Sequence, residues 1–502
     1  MTTCRFWAAI LIAVSLPTVA ASADAAKEAF DKGKACLEKK DYDAAITAFG
    51  DAIQLNPKYA EAYYKLGLAY ARKGDNNKAI VEYNEAIRID PKYAIAYNNR
   101  AIAHLSEGDL DEAIRDFSEA VRLDPKYADA FYNRGFVYAR KGLYDMQIAD
   151  DTEAIRLNPK HALAFYSRGA AYAQKHDYDE AIIDYSEAIR INPKDANTFY
   201  DRAVTYENKR EYDKVIADCT EAIRLNPKHA AAYNERGFAY GNQREFDTEI
   251  ADCTEAIRLN PKYAIAYNNR GIAYQNSGES DKAIADFTES IRLDPKNIRP
   301  YVNRGGAYVD RGEYAKAIAN CDEAIRVDPH SDLAFYNRAI AHEKKGENAK
   351  AIADYTEVIR INPSFAAAYC NRGWVIYKAG DFHKAIADYN EAIRLDPKSA
   401  DAYNNRGVAF TDSGEFDKAI ADSTEAIRLK WNFAMAFYNR ARAYQRKRDA
   451  VAAILNYSQA IRLNPNLAAA YWGRAVCYKA QGEDAKANDD FAQAGRLGYD
   501  GR

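Results

Sequence analysis

Twelve prolines recur along this chain at a 34-residue interval, and that interval excludes most folds. They are Pro57, Pro91, Pro125, Pro159, Pro193, Pro227, Pro261, Pro295, Pro329, Pro363, Pro397 and, after one omission, Pro465. Trp431 stands where the missing proline would be. A fixed period of this size marks stacked supersecondary units, each burying its apolar face against its neighbours, in place of one closed core. Without the repeat, 502 residues would be read as about three or four globular domains. With it, function becomes a question about one long surface.

Starting the units at 26, 60, 94, 128, 162, 196, 230, 264, 298, 332, 366, 400, 434 and 468 puts each proline at place 32. Fourteen repeats then fill residues 26–501 without insertion. Residues 366–399 read as helix, turn at Gly380, helix, and stop at Asp396-Pro397. Glycine tolerates the left-handed conformation that ends a helix, and proline disfavours helix at the residue before it. Places 4, 8 and 11 share one face of the first helix, and places 20, 24 and 27 share one face of the second. The repeat from Ala60 supplies Tyr63, Gly67, Tyr70, Ala79, Tyr83 and Ala86 there; the repeat from Ala264 supplies Tyr267, Gly271, Tyr274, Ala283, Phe287 and Ser290. Small residues at 8 and 20 let the two helices approach while the aromatics fill the gaps. The 39 tyrosines therefore read first as packing residues. The first repeat departs from the pattern at Ala29, Lys32 and Cys36, and the last has Gly473 and lacks a closing proline, as end caps would.

This pattern resembles the tetratricopeptide repeat along the whole chain after residue 23. The resemblance implies an all-α solenoid of about 14 helix-turn-helix repeats forming a right-handed superhelix. It also implies that the first helix of each repeat lines a concave groove. At ~10 Å per packed helix, 28 helices would give a contour on the order of 250 Å.

Place 7 is usually Leu in this family. Here it is Arg in twelve successive repeats, from Arg100 through Arg270 and Arg372 to Arg474. Place 7 borders the core face, and buried charge needs a partner. Place 23 is Asp in most of these repeats (Asp116, Asp286, Asp354, Asp388), whereas Leu66 is matched by Glu82 and Lys32 by Ala48. The pairing predicts an Arg–Asp clip, bidentate where possible, between helices of one repeat or of neighbours. The rival reading is a basic ladder for anionic ligands.

Place 6 falls about 200° from places 4 and 8 and is expected to look away from the packed face. It carries Asn99, Asn133, then Ser167, Asp201 and Glu235, then Asn269, Asn303, Asn337, Asn371, Asn405 and Asn439. An amide both donates and accepts, so such a row can hold an extended peptide backbone whatever its side chains. It resembles the asparagine ladder in the superhelix of O-GlcNAc transferase, whose catalytic domain has no counterpart here. Tyr336, Trp374 and Tyr438, with Ile340, Tyr377 and Val408, make the nearby lining apolar or aromatic, which suits peptide capture. The other reading is that Asn at place 6 is simply part of the duplicated text. The chaperone-tail clamp of this family needs Lys at place 5 and Asn at place 9, and no repeat has either. In the middle, Gln147, Asp151, Glu249 and Cys253 replace core residues at places 20 and 24. They predict either a softer, acidic segment between two stiffer arms or tolerated drift.

Residues 1–23 belong to another class. Arg5, the apolar run Phe6–Leu16, Pro17 and Ala21-Ser22-Ala23 form a secretory signal with cleavage expected after Ala23. The run is short of the ~20 residues that span a bilayer. The expected product is 24–502, exported to a periplasm or secreted, with no membrane span. Six cysteines follow; Cys219, Cys253 and Cys321 replace core aromatics and read as buried small hydrophobes. A formal charge of −3 argues against nucleic acid, which selects a basic stripe. No catalytic constellation, metal motif or phosphate loop is present, so no enzyme activity, cofactor or metal is expected. The expected partners are one or more proteins bound through extended segments, with self-association also open. The competing class is a structural spacer or assembly scaffold of an envelope or secretion complex, using its ends and convex face.

Overall fold

The structure, a computed structural model, describes residues 19–499. Among these it contains 28 helices. The chain divides into two compact units, residues up to 244 and residues from 245 on. The first holds thirteen helices, from Val19–Glu38 to Ala230–Asn242; the second holds fifteen, from Phe246–Leu259 to Asp484–Arg496. Within each unit the second helix of a repeat packs on its own first helix and on the first helix of the next repeat, and successive first helices also touch. The apolar run 6–16 lies outside the described residues, and Ala21-Ser22-Ala23 lies within the first helix.

The turn inside each repeat needs one left-handed residue, and all fourteen residues at place 15 have positive φ. Nine are glycines, such as Gly380 at +87°. The other five are Lys40, His176, Arg210, Arg244 and Arg448, at +59° to +67°. Three of these stand in consecutive repeats.

The core follows the repeat register. Ala79, Tyr83 and Ala86 are buried, as are Ala283 and Phe287. The close approach at place 8 is tight: a Cβ added at Gly67 would sit 2.7 Å from the Tyr83 ring. Cys219, Cys253 and Cys321 are buried in the aromatic's place.

The arginines at place 7 are structural. Arg372 Nε donates to Asp388 Oδ2 at 2.9 Å and Nη2 donates to Oδ1 at 2.7 Å. Both helices belong to one repeat, which settles the geometry the sequence left open. The third nitrogen, Nη1, donates to Thr356 Oγ1 at 3.1 Å on the second helix of the preceding repeat. One guanidinium thus ties three helices. The same triple contact holds for Arg100 with Asp116 and Asn84, Arg168 with Asp184 and Thr152, and Arg474 with Asp490 and Ser458. These guanidiniums are engaged internally, so the basic-ladder reading falls. Hydrogen bonding to Asp388 holds Arg372 above the usual guanidinium range. Arg304 and Arg440 meet Asn320 and Asn456 instead, and there burial pulls the guanidinium below it.

The expected loosening in the middle does not break any helix. Tyr144–Leu157 and Ala162–Gln174 are continuous. It appears instead as buried polar groups without partners. Asp151 is 0% exposed, and neither carboxyl oxygen has a hydrogen bond. Gln147 donates to Ser167 O and Oγ, while its own Oε1 has no partner. Burial pushes the Asp151 carboxyl up to about 7, against a partial pull from the Ser167 and Gln147 dipoles. Burial alone pushes Glu249 up to about 8.

Candidate functional site

The place 6 asparagines stand on the first helices, where one repeat meets the next. Asn371 Nδ2 donates to Tyr336 Oη at 2.9 Å, and Asn99 Nδ2 to Tyr64 Oη at 3.0 Å. Asn133 donates to Asn98 Oδ1, Asn303 to Asn268 Oδ1 and Asn337 to the Val302 carbonyl. Asn405 makes a weaker contact with Cys370 Sγ at 3.9 Å, and Asn269 Oδ1 accepts from Asn268. Each inter-repeat bond runs to the residue 35 positions earlier, at place 5 of the preceding repeat.

This corrects the helical-wheel expectation. A wheel treats one helix alone, and place 6 leaves that helix's own packed face. In the array the neighbouring first helix abuts just there, so these side chains are half-buried and their N–H groups partly committed. Asn439 is a full exception: it is buried, at 4% exposure, and donates to Asn404 Oδ1 at 2.8 Å. Val408 is also buried. The place 5 acceptors Tyr64, Asn98, Asn268 and Asn404 were missed by sequence reasoning. The recurrence of polar pairs 35 residues apart was the available signal.

The aromatic lining is fixed by stacking. The Trp374 ring stacks on Tyr377 at 5.4 Å between centroids, and Tyr377 Oη donates to Asp412 Oδ2 at 2.6 Å. The Tyr336 ring stacks on Phe365 at 4.8 Å. Tyr438 packs against Tyr457 and borders a cavity of about 450 Å³ together with Arg442, Trp472 and Tyr499.

In the first unit a second cavity, of about 420 Å³, opens beside Tyr166, His176, Tyr178, Tyr185, Asp201 and Asn208. Asp201 Oδ2 accepts from Tyr166 Oη at 2.7 Å. Burial holds this carboxyl above its usual range. One repeat further on, burial and the neighbouring Glu207 carboxyl push Glu235 well above the usual carboxylate range. Among the described residues no group of three or more His, Cys, Asp or Glu could hold a metal ion, and no helix is long and apolar enough to cross a membrane.

The repeat architecture defines a helical-repeat scaffold of the kind that engages other proteins. The chain belongs to the tetratricopeptide repeat family. The family described as TPR repeat matches residues 33–74, 70–107, 103–142, 305–346, 344–380 and 375–412. Models described as tetratricopeptide repeat match 162–195 and 264–297, and 128–161, 196–229, 230–263, 400–430 and 434–467. Among solved structures the chain is similar to the APC/C hetero-tetramer Cut9–Hcn1, at 17% identity over 91% of this chain and 97% of that one, with a TM-score of 0.44. It is similar to yeast Tom70 at 19% identity over 88% and 98%, with a TM-score of 0.40. It is similar to MamA protein at 30% identity over 35% of this chain and 95% of the other, with a TM-score of 0.32. No curated protein matches the chain.

Proposed function

We propose that this chain is an exported adaptor that holds an extended segment of a partner protein along the face made by its first helices. The observation that carries the reading is the anchoring of the place 6 amides. Bonding Nδ2 to the preceding repeat fixes the amide plane at each of several successive repeats, and it leaves Oδ1 to accept from a peptide N–H. Stacked Trp374 and Tyr377 supply rigid apolar area beside the row. Pre-organised groups of this kind bind an extended chain with less ordering cost on the protein's side.

The test is paired affinity capture from an envelope or secreted extract. One bait is the unaltered chain; the other carries Asn303→Ala, Asn337→Ala and Asn371→Ala. A protein held by the first and lost from the second supports the reading. Equal capture by both baits sinks it.

A second reading, an assembly scaffold using the outer face, is favoured by one observation. Val451 and Leu455 lie one turn apart on Ala450–Leu463 and are each 71% exposed. Trp431, in the loop between Phe416–Leu429 and Ala434–Arg446, is 76% exposed. Capture that survives the asparagine changes but is lost on Val451→Ser with Leu455→Ser supports this reading instead.

A further inference from the structure

The last junction of the array departs from the others at the places that fill it. Place 17 carries an aromatic ring in most repeats. Phe382 packs there on Tyr377, at place 12 of its own repeat, with ring centroids 5.6 Å apart. Tyr178 reaches the following repeat, where its Oη donates to Asn208 Oδ1, at place 13, at 3.3 Å. In the thirteenth repeat the corresponding three residues are Ala450, Gln445 and Ala480. Together with Val476 and Cys477 they line a cavity of about 370 Å³. It adjoins the 450 Å³ cavity beside Tyr438 and Trp472, since Gln445, Arg448 and Val476 border both. The row of asparagines at place 6 ends here in Gly473, where an added Cβ would strike the Tyr457 ring.

The charges at this junction are unbalanced. Arg442, Arg446 and Arg448 all border the larger cavity. Arg442 bonds Asp412, whose other oxygen accepts from Tyr377. Among the described residues Arg446 and Arg448 have no ion pair and no side-chain hydrogen bond. Where a charge at place 13 is paired along this face, it is paired by one of two routes. Lys378 reaches back to Glu343, at place 12 of the preceding repeat, and Asp412 is met by Arg442, from place 9 of the next. For Arg446 those places hold Thr411 and Val476. Thr411 is buried and its hydroxyl donates to the Gly407 carbonyl. The adjacent charges are engaged as well: Asp449 accepts from Ala452 N–H at 3.0 Å, and Lys447 bonds Asp417.

We propose that the junction of repeats 13 and 14 binds an aromatic residue of the partner segment together with an acidic residue two positions away. The inference rests on the groove reading and deepens it by naming the residues recognised. The ring takes the room at Ala450 and Ala480 that Phe382 fills in its own repeat, where it gains packing partners on all sides. The carboxylate meets Arg446 and Arg448, whose planar forks suit it. Gln445 Oε1 accepts from Tyr457 Oη at 2.6 Å, which leaves the Gln445 amide N–H to donate to the same carboxylate. Residues two apart in an extended chain lie on one side, about 6.6 Å from each other, a spacing that suits two adjoining cavities.

Capped, fluorescein-labelled hexadecapeptides test this by fluorescence polarisation on the full chain at low salt, where charge attraction is least screened. All have a Gly/Ser/Ala background. The first carries Glu-x-Phe-x-Glu at its centre, which serves either chain direction; a second replaces both Glu by Gln, and a third replaces Phe by Ala. The first is expected to bind at least tenfold more tightly than either of the others. Arg446→Gln with Arg448→Gly is expected to erase the preference for Glu. Gln174 and Gly380 stand at these places in other repeats, so the fold is kept. Ala450→Phe restores the ring common at place 17 and is expected to erase the preference for Phe while the preference for Glu remains. Equal affinity of the Glu and Gln peptides, or a preference for Glu that survives the arginine changes, overturns the proposal. A preference for Phe that survives Ala450→Phe overturns it too. The groove reading is tested separately by Asn371→Ala with Asn405→Ala, two and three repeats before the last. Peptide flanks of about six residues, at ~3.3 Å each, reach them across first helices ~10 Å apart. If these changes weaken all three peptides and the preferences persist, both readings stand. If the preferences persist and affinity is unchanged, the subsite stands without the asparagine row. If the asparagine changes weaken binding and neither preference exists, the groove reading stands and the subsite falls. If no peptide binds the unaltered chain, both fall.

Discussion

Asp151 occupies the place where Phe117 and Tyr185 put an aromatic ring into the core of their own repeats. Its carboxyl is fully buried, has no hydrogen bond, and is pushed up to about 7 from an ordinary 3.8. The groups around it are few. Gln147 and Ser167 lie beside it, Asp150 disfavours its charge, Arg168 favours it, and the half-buried Tyr132 faces it from the first helix of the repeat. The sign follows from linkage. The folded chain keeps this proton to higher pH than the unfolded chain, so stability is lost as pH rises through the interval from about 4 to about 7. Below that interval both states are protonated, and above it both are ionised and the loss is complete.

At ~1.4 kcal/mol per pH unit, the full interval corresponds to roughly 4 kcal/mol, and the part between pH 5 and pH 7 to about 2 kcal/mol, since the folded-state carboxyl is already half ionised at the upper end. Asp151→Asn removes the ionisation and keeps the shape. Because repeat arrays open locally, the assay is amide exchange in Tyr144–Leu157 and Ala162–Gln174, corrected for intrinsic rates. The substituted chain should gain on the unaltered one by about 2 kcal/mol in opening free energy between pH 5 and pH 7. Other raised carboxyls, such as Glu249, are common to both chains and cancel in the difference. Parallel pH profiles for the two chains would refute the reasoning.

Four further outcomes are expected. Arg372→Leu strands the buried Asp388 and removes bonds to two second helices; it should destabilise by about 2–3 kcal/mol, at the low side of a broken buried pair because the guanidinium is partly exposed, and an unchanged or raised Tm would dismiss the clip. Asn320→Asp should complete the weak clip at Arg304 and stabilise by about 1 kcal/mol, measured by denaturant unfolding; a loss would mean that the Asn320 amide bond to the Tyr301 carbonyl matters more. Arg210→Gly relieves a left-handed backbone at φ +59° worth about 1–2 kcal/mol, less about 0.5–1 kcal/mol of added unfolded-state freedom, so its helix pair should gain up to about 1 kcal/mol in exchange protection; lower protection would show that packing of the arginine stem outweighs the relieved strain. Mass measurement of the protein exported by a bacterial host should place the mature N-terminus at Asp24, and an intact chain from Met1 would remove the signal reading.

The period, the helix pairs and the turn were legible because they depend on spacing along one chain. The Arg–Asp clip was legible in part. Both partners recur at fixed places within a repeat, so Asp388 was readable as the partner of Arg372, but the third bond to Thr356 was not, since it crosses to another repeat. The place 6 asparagines were found by their recurrence and misplaced by the wheel, which carries no neighbouring helix. The Glu207–Glu235 contact was out of reach for the same reason: it joins unlike places of two repeats and occurs in a stretch where the repeat text has diverged.

Divergence is itself informative in an array of this kind. Stability in a solenoid is close to a sum over repeats and their junctions, so each departure can be compared with the same place elsewhere. The departures are concentrated. Asp151, Asp201 and Glu235 fall between 147 and 244, and so do three of the five left-handed residues that are not glycine. All of them weaken the folded state, so this stretch should exchange its amides fastest among the interior repeats of the first unit. Removing the departures should reverse the effect: Asp151→Asn together with Arg210→Gly should slow amide exchange across 144–225 at neutral pH and leave residues 60–127 unchanged. Exchange that stays as fast in the double variant would show that these departures are not what weakens the stretch.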